Sequence, residues 1–155
     1  MCKKKAKKGI YFLYQIELII LNYMSFLAYL IAVGGKSYFR DGKVGSYVHG
    51  KAEVYTEGKW FDIEDHPVGS TQTYASTYHE GKFYYFGGVG QTGDPQNGIA
   101  CLNSSSWTWS WAGKLQNNRY AHSVIVVGNQ FLVVGGYISN TNRLSTFVNT
   151  EGLSE

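Results

Sequence analysis

Three apolar runs in the chain each end at two adjacent glycines. They are "FLAYLIAVGG" at 26–35, "TYHEGKFYYFGG" at 77–88 and "NRYAHSVIVVGNQFLVVGG" at 118–136. In the last two, the segments "FYYF" and "FLVV" are apolar at every position, which predicts strands buried on both faces. Glycine suits the end of such a strand, because it lets a neighbouring backbone approach closely and accepts a positive φ.

The glycine pairs recur at a regular interval, which indicates an internal repeat. The pairs are Gly34-Gly35, Gly87-Gly88 and Gly135-Gly136, so the interval is first 53 (87 − 34) and then 48 (135 − 87). A period near fifty residues is typical of arrays in which each copy is one supersecondary unit. Turn-forming tetrapeptides, "HEGK" at 79–82 and "VGNQ" at 127–130, precede the apolar segments and predict hairpins.

Each copy is therefore predicted to hold four strands. The three copies span about 26–67, 72–115 and 119–155, and the strands of the middle copy lie near 73–78, 83–86, 98–102 and 107–111. In the first copy, "FLAY" stands where hairpin residues are expected. Its first strand is therefore either missing or replaced by the leader, residues 1–25.

Aromatic residues recur in step with the glycines. Tyr55 and Trp60 have the same separation as Leu102 and Trp107, whereas the third copy has Asn149 and Ser154 at these places. Arg119 and His122 lead into the third copy, and the second copy has Thr71 and Tyr74 instead.

The double glycine after an apolar strand, the "EVYTEGKW" segment with its Tyr and Trp, and the Arg119/His122 approach together resemble the kelch repeat. The resemblance covers about residues 26–155. It implies an all-β fold, an incomplete kelch-type β-propeller of stacked antiparallel four-stranded blades. It also implies a structural role for the repeated residues, which are Gly34, Gly35, Tyr55, Trp60, Gly87, Gly88, Trp107, His122, Gly135 and Gly136.

The leader begins with a cluster of lysines, Lys3 to Lys8, and continues as an apolar stretch over 10–33. A basic segment before an apolar one is the layout of a signal peptide or signal anchor. Against this, Glu17 would cost about 2.5–3.5 kcal/mol near a membrane centre. We predict a helix for much of 10–24 and a strand for 30–33. The leader is expected to be either a membrane-targeting segment or a buried or disordered one, so membrane anchoring or secretion and a cytoplasmic location are both left open.

Charge and composition exclude several classes of function. From residue 26 onward there are nine basic and ten acidic residues (14 − 5 and 11 − 1), so the body of the protein lacks the basic surface that nucleic acid requires. Cys2 and Cys101 make no disulfide framework, and no Cys/His spacing predicts a metal site. "GVGQTG" at 88–93 fits a dinucleotide fingerprint, but Asp94-Pro95 follows where a helix is required, so a loop is expected.

By resemblance, we expect a non-catalytic module without cofactor that binds a protein of unknown identity through loops on one face of the blades. Exposed aromatics and arginine on scaffold-held loops are typical of binding surfaces. The loop 36–51 and the loops joining successive copies supply the candidates Tyr38, Phe39, Arg40, Tyr47, His66 and Arg119. The tyrosines either contact the partner or fold back onto the scaffold.

Two alternatives accompany this prediction. Trp107, Trp109 and Trp111 fall on one face of a strand and suit stacking on sugar rings, which favours a secreted or membrane-anchored carbohydrate-binding or carbohydrate-active protein. The sequon at Asn103 would then be used. Separately, blades without neighbours leave apolar faces uncovered, so self-association is expected.

Overall fold

The computed structural model describes residues 3–5, 11–19, 29–38, 46–69, 71–138 and 148–152. The described residues form strands, turns and loops, so the protein is all-β with several antiparallel sheets. The chain divides into two compact units, Met1–Gln72 and Thr73–Glu155.

The first unit is built on one antiparallel sheet in the order β1-β2-β3-β5-β6, with β4 also paired to β3. Its central strand β3 contains the first double glycine, and it pairs with β5 through Leu30↔Tyr55 and Val33↔Ala52. The strands of this unit are β1 Lys3–Lys5, β2 Tyr11–Ile19, β3 Tyr29–Tyr38, β4 Ser46–Val48, β5 Ala52–Thr56, β6 Lys59–Ile63 and β7 Thr71–Gln72.

The leader supplies a strand to this sheet. The described part of the range predicted as helix, Tyr11–Ile19, is the strand β2, which pairs antiparallel with β3 from Tyr11↔Tyr38 to Ile19↔Tyr29. Apolar residues such as Phe12, Leu13 and Ile16 are compatible with a strand as well as with a helix, and here their strand pairs with β3. β2 thus pairs with β3 in the position of the first strand, which the first copy was predicted either to lack or to take from the leader. Among the described residues, no helix has the length and apolarity that crossing a membrane requires.

The second unit contains the four strands predicted for the middle copy and a three-stranded sheet. The four-stranded sheet has the order β12-β11-β9-β8 and the other the order β13-β14-β15, with every pairing antiparallel. The strands are β8 Ala75–His79, β9 Lys82–Phe86, β10 Val89–Gly90, β11 Gly98–Asn103, β12 Trp109–Lys114, β13 Ser123–Val127, β14 Gln130–Val134 and β15 Val148–Gly152.

The "FYYF" segment of β9 is buried on both faces, as its unbroken apolarity predicted. Phe83, Tyr84, Tyr85 and Phe86 are all buried. Tyr84 and Phe86 join a core cluster with Phe131, whose ring centroid lies 4.8 Å from that of Tyr84 and 5.1 Å from that of Phe86. The sheets of this unit are therefore held together by the aromatic residues of β9 and β14.

The "FLVV" segment of β14 is buried on one face only, so the prediction of two buried faces is wrong for it. Phe131 and Val133 are in the core, while Leu132 is half-buried and Val134 is 40% exposed. Ile125 on the paired strand β13 is 52% exposed. Within the described part of the chain, this outward face has no sheet packed over it comparable to the one that covers β9.

Short turns close the hairpins, and they adopt the conformation that their glycines allow. Glu80 and Gly81 between β8 and β9 have φ of 46° and 79°, and Glu57 and Gly58 between β5 and β6 have φ of 51° and 78°. Two successive positive φ values are the requirement of a type I′ turn, which matches the twist of a hairpin. Asn103, the residue of the sequon, accepts hydrogen bonds from the backbone N–H groups of Ser105 and Ser106 in the β11–β12 turn.

Candidate functional site

The three double glycines share one backbone conformation. Their φ pairs are 61° and 114° at Gly34-Gly35, 60° and 100° at Gly87-Gly88, and 71° and 80° at Gly135-Gly136. All six values lie in the left-handed region, which residues with a Cβ rarely adopt. β9 and β14 end at their glycine pairs, whereas β3 continues through its pair to Tyr38. We call the end of the sheets at which the glycine pairs lie the glycine end.

A segment that joins two copies crosses each of the first two glycine pairs at close range. A Cβ on Gly87 would collide with the backbone oxygen of Arg119, and a Cβ on Gly34 would collide with that of Thr71. Thr71 and Arg119 are separated by the same interval as the second and third glycine pairs (119 − 71 and 135 − 87). The glycines are therefore required by the passage of the next joining segment, as well as by their own φ.

In the second unit, backbone hydrogen bonds join the loops of the glycine end. The N–H of Gly88 donates to the carbonyl of Arg119 (2.8 Å), the N–H of Arg119 donates to that of Gln96 (2.8 Å), and the N–H of Gln96 donates to that of Gly88 (2.9 Å). The N–H of Leu115 donates to the carbonyl of Asn97 (2.7 Å) in the same way. The loop 89–97 is thereby fixed to the joining segment 115–121.

Exposed amide side chains line this pair of loops. Four of them are exposed on the two loops: Gln91, Gln116, Asn117 and Asn118. Asp94 is also exposed, and it accepts a hydrogen bond from the Thr92 hydroxyl (2.7 Å). Because hydrogen bonds hold the residues that flank them, such as Leu115 and Arg119, these side chains offer donors and acceptors to a partner at low cost in ordering. We call residues 89–97, 115–121 and 136–138 the glycine-end loops.

Tyr120 and Tyr137 add an aromatic surface to the glycine-end loops. Their backbones form an antiparallel bridge, and their rings stack with centroids 5.3 Å apart and planes 22° from parallel. Both side chains are half-buried. A rigid tyrosine pair beside exposed amides is a common composition for a protein-binding surface.

Arg119 lies inside the structure, although the sequence suggested it for partner binding. Its side chain is 1% exposed, and its Nη1 donates a hydrogen bond to the carbonyl of Gly135 (2.8 Å). The guanidinium thus satisfies the backbone at the third glycine pair, where an unsatisfied carbonyl would cost about 1–3 kcal/mol. We assign Arg119 a structural role.

His122 is buried beside the same glycines. It is 8% exposed, and its Cε1 lies 3.3 Å from the position that a Cβ on Gly87 would take. Neither ring nitrogen has a hydrogen-bond partner among the described residues. Burial, and then the positive charge of Arg119, lower the pKa of His122 to about 4. His122 is therefore neutral at neutral pH and packs as part of the interior.

The first unit also contains a buried histidine, His66. It is 4% exposed, its Nδ1 accepts a hydrogen bond from the N–H of Val68 (3.3 Å), and burial lowers its pKa to about 4. Its backbone N–H donates to the carbonyl of Gly50 (2.7 Å). The loop Glu64–Gly69 is fixed by these bonds, so His66, which the sequence suggested for partner binding, serves as its internal support.

The remaining partner-binding candidates lie in or beyond the strands of the first unit. Tyr38 is the last residue of β3, and Tyr47 is the central residue of β4, paired with Ser37. Phe39 and Arg40 lie outside the described residues. The described part of the predicted loop 36–51 thus includes the last three residues of β3 and the strand β4 that pairs with them.

The tryptophans differ in how far they are covered. Trp107 stacks on Phe83 (6.5 Å between centroids, 13° between planes), and Trp109 packs on Tyr85 (5.1 Å). Trp111 is 57% exposed and lies over Gly98, where a Cβ would come within 2.6 Å of its ring. Of the predicted row, Trp111 is the residue with an open ring surface. In the first unit, Trp60 is half-buried and packs on Tyr55 (5.3 Å).

The sequence motifs that resemble catalytic or cofactor-binding motifs do not assemble into such a site in the described part of the chain. "GVGQTG" forms β10 and a turn, closed by the N–H of Gly90 donating to the carbonyl of Asp94 (3.1 Å). Among residues that the structure describes, no group of three or more His, Cys, Asp or Glu side chains is placed to hold a metal ion.

The exposed amides of the glycine-end loops were not among the residues predicted from the sequence. Gln116, Asn117 and Asn118 are consecutive in the sequence, and Gln91 lies well before them, in the loop that follows the second glycine pair. A run of three amides directly before a repeated crossing segment was the available signal. What could not be read from the sequence is that backbone hydrogen bonds join the loop that carries Gln91 to the segment that carries the other three amides.

Comparison with known proteins shows a similarity of fold to a solved structure. No family model matches the chain, and no curated protein matches it. The fold is similar to that in the solved structure of YjhT, with a TM-score of 0.60 and 16% sequence identity. The match covers 81% of this chain and 49% of the YjhT chain. The chain therefore spans about half the length of the structure it matches.

Proposed function

We propose that the chain is part of a kelch-type β-propeller and acts as a non-catalytic protein-interaction module through its glycine-end loops. The kelch resemblance of residues 26–155 supports the propeller, and so does the conformation shared by the three glycine pairs. A close crossing by the joining segment at Gly34 and again at Gly87 adds to this support. Stacked antiparallel sheets with loops gathered at one end are the general plan of such scaffolds.

The observation that carries the proposal is the hydrogen bonding between the loops of the second unit. Bonds of 2.8–2.9 Å among Gly88, Gln96 and Arg119 fix two loops that are otherwise exposed. Loops held in this way keep their surface side chains in one arrangement before a partner arrives, which reduces the entropy lost on binding. The exposed amides and the stacked Tyr120/Tyr137 pair then provide hydrogen bonds and apolar contact.

The test uses the chain as bait and two variants matched in type. The partner is captured from an extract of the source cells and identified, and its affinity is then measured for wild type, for Asn117→Ala/Asn118→Ala and for Ser105→Ala. Ser105 is exposed in the β11–β12 turn, at the end of the sheet opposite the glycine end. Truncating interface residues should weaken binding by about tenfold or more, which is roughly 1.4 kcal/mol.

We expect the Asn117→Ala/Asn118→Ala variant to lose affinity while the Ser105→Ala variant keeps it. Thermal unfolding of both variants provides the control, since exposed side chains should change stability by only about 0.5 kcal/mol. Equal affinity for all three proteins would contradict binding through these loops. Capture of the same proteins by an unrelated bait would contradict a specific partner.

A second candidate function rests on Trp111. Its ring is 57% exposed and is supported from below by Gly98, a geometry that offers a flat apolar surface to a sugar ring. Binding to immobilised neutral oligosaccharides, compared between wild type and Trp111→Ala, tests this function. Binding that requires Trp111 but not Asn117 or Asn118 would favour carbohydrate over protein as the ligand.

A further inference from the structure

We infer that Trp111 belongs to the binding surface of the glycine-end loops and anchors a protein partner there by packing on an uncharged, apolar side chain. Since the surface is the one proposed above, this assignment rests on the proposed function. Trp111, in β12, is the most exposed of the large apolar residues in the described part of the chain, at 57%. Tryptophan is enriched among the few residues that carry most of the binding energy in protein interfaces.

The ring of Trp111 extends along the sheet toward the glycine end. In the pairing of β11 and β12, Trp111 lies opposite Ala100, but its ring lies over Gly98, which is two residues nearer that end. A Cβ on Gly98 would lie 2.6 Å from Cζ3 and 3.2 Å from Cη2 of the ring. Gly98 in turn accepts a hydrogen bond from the N–H of Gly87, the first residue of the second glycine pair (2.9 Å). The ring therefore lies at the glycine end of its sheet.

Two hydrogen bonds beside Gly98 connect the loops of this surface. Asn97 is the last residue of the loop 89–97, and its carbonyl accepts a hydrogen bond from the N–H of Leu115 (2.7 Å), while its Nδ2 donates to the carbonyl of Leu115 (3.4 Å). Leu115 is followed directly by the exposed amides Gln116, Asn117 and Asn118. Because Asn97 and Gly98 are adjacent, the ring lies next to this junction, so Trp111 extends the surface of the glycine-end loops.

The contact with Gly98 supports the ring before a partner arrives. Gly98 has no side chain, so the ring packs directly on the backbone of β11 and is restrained on that side, while more than half of the side chain stays exposed. A large side chain that is already in place loses little conformational entropy on binding, so more of its apolar contact contributes to affinity. Gly98 is therefore a positioning residue for the Trp111 ring.

The charges around the ring indicate which side chain of a partner it accepts. In the ranges 89–98 and 111–121 the charged residues are Asp94, Lys114 and Arg119, and Arg119 is buried. Asp94 and Lys114 are both exposed, so the surface carries one charge of each sign. Lys114 lies directly opposite Gly98 in the β11–β12 register, and its ammonium group would repel a cation placed on the ring. An apolar side chain meets no such repulsion, while the amides of the loops can pair with peptide groups on either side of it.

The experiment selects short random peptides from a phage-displayed library on the full chain and measures the affinity of the enriched peptide for each variant. We expect the enriched peptides to share an apolar residue at one position. Trp111→Ala should weaken binding by about tenfold or more, and Trp111→Phe, which keeps an aromatic ring, by about threefold or less. Ile125→Ala, which truncates another exposed apolar residue in β13, is the matched control and should change affinity by less than about twofold. Circular dichroism checks that each variant is folded; if Trp111→Ala is not, Trp111→Gln replaces it.

Gly98→Ala tests the position of the ring separately from its presence. The added methyl group must displace the ring, so this change alone should weaken binding by about three- to tenfold. Combined with Trp111→Ala it should add nothing, because the ring that it displaces is already absent. A further loss in the combined variant would overturn the positioning role of Gly98.

The loop variant Asn117→Ala/Asn118→Ala separates this assignment from the proposed function. We expect it to weaken binding of the same peptide, as Trp111→Ala does. A loss in the loop variant with unchanged affinity in Trp111→Ala would overturn the inference and leave the proposed function intact, whereas unchanged affinity in both would contradict the proposed function as well. A loss in Trp111→Ala alone would overturn the inference, since the ring would then act apart from the loops. Failure to enrich any peptide would overturn it too, and so would binding of immobilised neutral oligosaccharides that requires Trp111 in place of peptide binding.

Discussion

Two residues without the freedom of glycine adopt a left-handed backbone at equivalent places of the repeat. Thr73 has φ of 54° and Ala121 has φ of 51°, and they are separated by the same interval as Gly87 and Gly135. The N–H of Ala121 donates to the carbonyl of Thr73 (2.9 Å). The left-handed conformation costs a residue with a Cβ roughly 1–2 kcal/mol. The surrounding hydrogen bonds of the joining segment hold both residues in it.

Replacing Ala121 by glycine should stabilise the protein. Relief of the left-handed strain outweighs the added entropy of the unfolded chain, so the free energy of unfolding should rise by about 0.5–1 kcal/mol. Ser123→Gly, in an exposed position of the adjacent strand β13, is the matched control and should lower it by about 0.5–1 kcal/mol. Urea denaturation measures both, and a loss of stability in Ala121→Gly would show that its methyl group has a packing role.

The buried histidine at position 122 makes stability depend on pH. Because its pKa falls from 6.5 to about 4 on folding, the unfolded state binds more protons between these values. The contribution of neutral His122 to the free energy of unfolding is therefore present above pH 6.5 and is lost as the pH falls toward 4. In His122→Phe this contribution is absent, so the advantage of wild type over the variant should shrink by about 2–3 kcal/mol between pH 6.5 and 4.5. A constant difference across that range would contradict a neutral buried His122.

At the scale of strands and connections, the glycine pairs have a double role. Gly87 has φ of 60°, and a Cβ there would also collide with the Arg119 backbone. Gly128, in the β13–β14 turn, has φ of 61° and has no atom within 4 Å of such a Cβ. The two positions have the same backbone conformation and differ in their surroundings. Comparing substitutions at both therefore separates the cost of the positive φ from the cost of the collision with the joining segment.

Gly128→Ala should cost only the left-handed penalty, about 1–2 kcal/mol. Gly87→Ala should cost about 2 kcal/mol more or prevent folding, because backbone atoms must move to admit the methyl group. Chemical denaturation of both variants measures the difference. Equal losses would mean that the joining segment does not cross Gly87 as closely as described.

The elements themselves could be predicted from the sequence to different extents. The four strands of the middle copy and their hairpin turn followed from alternation of apolar runs with "HEGK"-type turns, because these signals are local. β2 was predicted as a helix, since its apolar residues fit both periods and its pairing with β3 is not local. "FLVV" was predicted to be buried on both faces, but a strand's composition does not reveal whether a further sheet covers it.

At the scale of the whole molecule, each double glycine is followed by a loop, and these loops differ in sequence from copy to copy. The structural positions could be predicted, because each double glycine has to admit a backbone. The binding candidates could be predicted less well. Arg119 and His66 are polar residue types that are usually exposed, but here both are buried and form hydrogen bonds with the backbone of nearby loops. The exposed amides at 116–118 carry no motif, and their role depends on hydrogen bonds between distant loops. Function is therefore more directly tested on the assembled surface than on any single residue.

The most direct test of the proposed function is amide hydrogen exchange of the full chain, alone and with its captured partner. Binding through the glycine-end loops should slow exchange in peptides that cover 89–97 and 115–121. Peptides that cover the β11–β12 turn, residues 103–108, should exchange at the same rate in both samples. Protection at that turn instead, or no change at either end of the sheets, would contradict the account.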